Sequence, residues 1–174
     1  MAITTAAGLS STTVSTTQQA PLGFELTVPT ANSGEQTWIY VQATAAGVNP
    51  GIACMRAAAA TTYTVQPTGI AVDPELPARI VGVAQHAIAL NSFGFILKRG
   101  LGVVQAGNGA VVPANTALTT AGTGIAGTFA AVVSNTNAQT DTGDKVIAWC
   151  VTASAASGPA PNGLDGRAMI NCIG

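Results

Sequence analysis

From Phe24 the chain alternates with a period of two. Phe24, Leu26 and Val28 fall on one side and Glu25 and Thr27 on the other, which predicts a half-buried strand that Pro29 ends. Residues 37–44, TWIYVQAT, put Trp38 and Tyr40 on one face and Ile39, Val41 and Ala43 on the other, so both faces of this strand are expected to be covered. TTYTVQPT, residues 61–68, repeats the alternation, with Pro67 as its stop. The middle of the chain reads RIVGVAQHAIAL (79–90), then Asn91-Ser92 as a hairpin turn, then FGFILKRG (93–100) and LGVVQA (101–106). Asn108-Gly109 predicts a second hairpin, because a type I′ turn needs positive φ at both central residues.

Further strands are expected at 110–113, 116–119, 126–133 and 144–152, and in RAMINCI, 167–173. In DKVIAWCVT, Ile147, Trp149 and Val151 are expected on one face, with Trp38, Tyr40 and Trp149 all packed in the core. Helical propensity is confined to CMRAAAA, 54–60. Turn signals every eight to twelve residues and many short strands predict an all-β fold: one β-sandwich or barrel-like domain of short antiparallel strands, residues 22–174. Residues 1–21 carry no charged side chain and neither periodicity, and they read as an extended N-terminal arm.

Composition removes several functions. Only 7% of residues are charged, with six basic and seven acidic side chains and a net charge of −1, against about 25% charged in an ordinary soluble domain. Nucleic acid and anionic membranes therefore have no cationic surface to bind. No apolar run reaches the length of a membrane helix, and the N-terminal segment lacks the basic and apolar regions of a secretory signal. With 48% hydrophobic residues the chain is expected to fold. Ala, Thr and Gly dominate it, so the core is expected to be built from small and β-branched side chains, with Thr solvating the surface.

Candidate chemistry is sparse. Gly122 to Gly127 match GxGxxG with Asp141 downstream, but TFAAVVSN follows as a strand where a dinucleotide site needs a helix N-terminus. His86 is the one imidazole and lacks a GxSxG partner, so it is read as a hydrogen-bonded strand histidine. Cys54, Cys150 and Cys172 lack metal-ligand spacing and are read as buried thiols, with a bridge between Cys150 and Cys172 left open. The pairs Asp73/Glu75 and Asp141/Asp144 are read as polar turns and not as glycosidase carboxylates or a calcium loop. No catalytic residue, cofactor or metal is expected, and the chain is not expected to be an enzyme.

The block RIVGVAQHAIALNSFGFILKRGLGVVQAGNGAVV, preceded by WIYVQATAAGVNPGIACM and TTYTVQPT, resembles the small head decoration (cement) proteins of tailed bacteriophages over about residues 36–133. The resemblance implies a structural virion protein on the outer surface of the phage head that ties neighbouring major capsid subunits together. It implies as partners the major capsid protein and further copies of the chain, in a homotrimer. The arm is then expected to lie along the capsid, with Thr4, Thr5, Leu9, Val14, Gln18 and Gln19 as contact residues, and to order on binding. The alternative is a virion fibre or adhesin-type β-protein that binds a host glycan, which exposed aromatic side chains would mark.

Overall fold

The structure is a computed structural model that describes residues 8–31, 34–44, 46–57, 62–68, 79–107, 112–120, 126–131, 146–152 and 166–172. The fold is all-β. Its strands are β1 (Val14–Ser15), β2 (Glu25–Thr30), β3 (Gly34–Ala43), β4 (Ala53–Arg56), β5 (Thr64–Pro67), β6 (Ile80–Val83), β7 (Phe93–Val104), β8 (Ala117–Thr120), β9 (Phe129–Ala131), β10 (Ala148–Cys150) and β11 (Gly166–Asn171). No described helix is long and apolar enough to cross a membrane.

The strands close on themselves twice, with β7 common to both rings. In the first, β3 pairs with β5, β5 with β4, β4 with β6, β6 with β7, and β7 with β3. The β3–β5 contact is parallel and the others are antiparallel. Its interior holds Ile39, Val41, Cys54, Val65, Val81 and Ile96, all buried. The second ring runs from β7 through β11, β10 and β8 to β9. It returns to the chain just past β7 by a parallel bridge between Ala106 and Phe129, in which the Phe129 amide donates to the Gln105 carbonyl (2.8 Å) and the Gly107 amide to the Phe129 carbonyl (2.9 Å). Val104, Leu118, Phe129, Ala148, Cys150, Ala168 and Ile170 fill it.

Glycine lets one strand serve both rings. A Cβ on Gly102 would sit 2.5 Å from Leu97 Cδ2 and 2.9 Å from Ile170 Cδ1, and Gly100 has φ +117° with the Glu35 carbonyl 2.8 Å from where its Cβ would be. The strand therefore turns from the first core to the second where side chains are missing on its inner side.

β3 is covered on both faces, as its pattern predicts. Ile39 and Val41 enter the first ring, while Trp38 and Tyr40 pack outside it against Phe95 and Leu97. The cover over this outer layer comes from the N-terminal segment. Leu9 is 7% exposed, Ala20 and Leu22 pack against the same cluster, the Gln19 amide donates to Tyr40 Oη (3.0 Å), and β1 pairs with Phe93 and Gly94. Residues 8–21 are thus part of the core's wall and not a free arm.

Several local expectations are corrected. Pro29 lies within β2, an edge strand in which a missing amide proton costs no ladder bond on the open side, and Pro67 within β5. The 79–90 run forms strand only at Ile80–Val83. His86 lies in the bend after it, and Ile88 makes an isolated bridge to Val48. The runs at 93–100 and 101–106 join as one strand to Val104. Cys54 to Arg56, expected to favour helix, lie in β4, because pairing with β5 and β6 outweighs helix propensity. Asn91 has φ +61°, consistent with the expected turn. The Asn108-Gly109 turn, both acid pairs and Gly122 to Ile125 lie outside the described residues.

Removing residues 1–21 takes away the buried Leu9 side chain, the packing of Ala20, the pairing of β1 with β7 and the Gln19–Tyr40 hydrogen bond, together about 3 kcal/mol or more. The truncated protein is expected to melt roughly 5–10 °C lower, which thermal denaturation monitored by circular dichroism checks.

Candidate interaction surface

The outer face of the second ring carries the side chains its interior leaves over. Along one row of register partners stand Leu101, Met169, Trp149 and Ala117. Trp149 is 50% exposed, Met169 45% and Val151 44%. Val103 and Arg167 are partners in the next row, and the Arg167 carbonyl accepts from the amides of Val151 (2.7 Å) and Thr152 (3.2 Å). In the row on the other side, Arg99 Nε donates to Asn171 Oδ1 (3.2 Å). A contiguous apolar strip results, flanked by two guanidinium groups.

Trp149 corrects the expectation that it packs in the core, and Ile147 does not share its face. Ile147 lies before β10 and is buried, whereas Trp149 and Val151 point outward. The physical reason is volume. Phe129, Leu118 and Ile170 already occupy the ring's interior, and only Ala148 and Cys150 enter it from β10.

A groove lined by Gln36, Gln85, Leu101, Gly102, Val103 and Arg167 borders the strip. Its floor is a short stretch of β7 whose backbone bonds to side chains in place of a strand. The Gln85 amide nitrogen donates to the Val103 carbonyl (3.0 Å), and the Val103 amide donates to Gln85 Oε1 (2.8 Å). Gln36 Nε2 donates to the Leu101 carbonyl (2.6 Å). Two glutamines thus fill the interval between β3, whose pairing with β7 ends at Arg99, and the bond from the Gln105 amide to the Gly51 carbonyl (2.9 Å).

The other sequence-derived candidates are scattered. Thr4 and Thr5 lie outside the described residues. Leu9 is buried against the chain's own core, so in this fold it has no surface to give a partner. Val14 is 41% exposed on β1. Gln18 and Gln19 are exposed, with their side-chain amides bonded to the Ala20 and Thr17 carbonyls. None of the four described candidates belongs to the Trp149 strip. Sequence reasoning missed that strip; the small residues Ala148 and Cys150 alternating with Trp149 and Val151 were the signal for it.

Among the described residues no three of His, Cys, Asp and Glu come close enough to hold a metal. The three cysteines are free and buried, and burial pushes the Cys54 and Cys172 thiols up to about 12. His86 is not the hydrogen-bonded strand histidine expected: its Nε2 is buried without a partner among the described residues, and burial lowers its pKa.

No family model and no curated protein matches this chain. Among solved structures, it is similar to the N base of the head fibre gp8.5 of bacteriophage phi29, with 14% identity and a TM-score of 0.47 over 78% of this chain and 94% of that one. A likeness at that level carries no functional argument.

Two outcomes follow. A half-buried histidine with a lowered pKa binds its proton more readily in the unfolded chain, so stability is full above pH 6.5 and falls as pH drops below it. Urea titrations at pH 7.5 and 5.5 should show this loss, at most about 1.4 kcal/mol per pH unit, and His86→Leu should remove it. The three thiols should resist a disulfide reagent at pH 8 until the protein is unfolded, when all three react.

Proposed function

We propose that this chain is a structural protein of the phage virion, a decoration protein that sits on the outer surface of the head and ties major capsid subunits together. The supporting observation is the strip of exposed Met169, Trp149 and Val151, continued by the half-buried Leu101, on the outside of a closed barrel. Interfaces are enriched in aromatic residues, Met and Arg and depleted of other charges at their centres, and this face has that make-up. A chain with so few charges contributes to a shell through apolar burial repeated over many copies. In this reading further copies complete a homotrimer, the capsid contact lies on the second ring, and the N-terminal segment is the core's cover.

The exposed Trp149 also bears on the adhesin reading, since sugar rings stack on exposed aromatics. Its neighbours in the row are Met169 and Ala117, which offer sugar hydroxyls no hydrogen bonds, and this favours a protein partner.

Purified protein should co-sediment with phage heads assembled without it and should remain bound in several hundred millimolar salt. Trp149→Ser with Met169→Ser should weaken that binding more than tenfold while leaving the melting temperature nearly unchanged, because both side chains are half exposed. Binding to a glycan array with none to heads would instead establish the adhesin.

A further inference from the structure

The chemistry of the same face also specifies its partner. Arg167 is exposed at the rim of the groove, and its guanidinium has no ion-pair partner among the described residues. Arg99 in the same face is held by the neutral Asn171. Of the two described carboxylates, Glu25 is taken by Lys98 (2.7 Å) and Glu35 lies on β3. Among the described residues the strip is therefore flanked by positive charge, although the whole chain carries a net charge of −1.

We propose that the partner is a protein segment with an apolar side chain and a carboxylate, the apolar group on the Leu101–Met169–Trp149 row and the carboxylate on Arg167. This rests on the reading that the face binds another protein of the head. Two features narrow the occupant. A second copy related by a two-fold axis would bring this face against itself and set Arg167 and Arg99 against like charge, which disfavours it. Addition of a strand along β7 is closed off, because Gln85 already bonds both backbone groups of Val103 and Gln36 bonds the Leu101 carbonyl. Recognition must then come from side chains, and an Arg beside a Trp is the pairing that carries binding energy at such centres. Arg is suited to it because its planar fork meets a carboxylate with two parallel hydrogen bonds.

The test compares Arg167→Gln, Arg167→Glu, Arg167→Lys and Trp149→Ser for co-sedimentation with heads assembled without this protein, together with melting temperature, molar mass in solution and acrylamide quenching of tryptophan fluorescence. Trp38 is buried, so quenching in the free protein reports Trp149. The expected result is a quenchable Trp149 that heads protect. Arg167→Gln should bind at least tenfold more weakly, Arg167→Glu more weakly still, and Arg167→Lys in between, all with unchanged melting. If the Gln and Glu variants bind like the parent while Trp149→Ser does not, the carboxylate proposal falls and the docking face stands. If all variants bind like the parent, the docking face itself falls. A Trp149 that cannot be quenched in the free monomer means the chain covers its own face. A dimer that Trp149→Ser dissociates means a second copy does. Either overturns the proposal.

Discussion

The structure depends on β7 pairing along both edges, with β3 on one side and β1, β6 and β11 in turn on the other. At Arg99 the strand has Thr37 of β3 on one side and Asn171 of β11 on the other. Before that point β3 and β6 close the first ring around it, and after it β11 begins the second. An unpaired backbone group in such a strand costs about as much as a lost hydrogen bond. On the edge that β3 leaves after Arg99, at Leu101 and Val103, two glutamine side chains supply the partners that a strand would. They satisfy the ladder and in doing so make the wall of the groove.

Sharing one strand between two closed rings also sets the side-chain sizes. Both interiors meet β7 on inner positions that alternate with outward ones, so bulk allowed on one side is refused on the other. Gly102 leaves its space to Leu97 and Ile170, and Ala168 and Cys150 leave theirs to Phe129 and Leu118. Trp149 of β10 and Met169 of β11 are then displaced to the outside, while Ile170 stays within. The apolar strip proposed as a docking surface is thus the complement of an interior filled by Phe129, Leu118 and Ile170, to which β10 adds only Ala148 and Cys150, and which is closed without disulfides.

Much of this was readable along the chain. The alternation through Trp38 to Ala43 predicted a strand covered on both faces, and that strand is the hub of the first ring. The block from Phe93 predicted strand, though not that it was one strand in two barrels, because Gly100 reads as a break until a second partner is found across it. Trp149 was misplaced because size alone pointed it inward. Leu9, in an apolar and uncharged segment without periodicity, gave no sign that it joins a core cluster made of residues far along the chain.

The sequence by itself determined the class, all-β and poor in charge, since period and composition are local and additive properties; the core it predicted, of small and β-branched side chains, also takes in Trp38, Tyr40, Phe95 and Phe129. The tertiary structure decided which face of each strand is interior. Both faces of β3, β7 and β10 carry apolar residues, so the choice rests on the volume left inside each closed ring, a quantity that exists only once distant strands have paired.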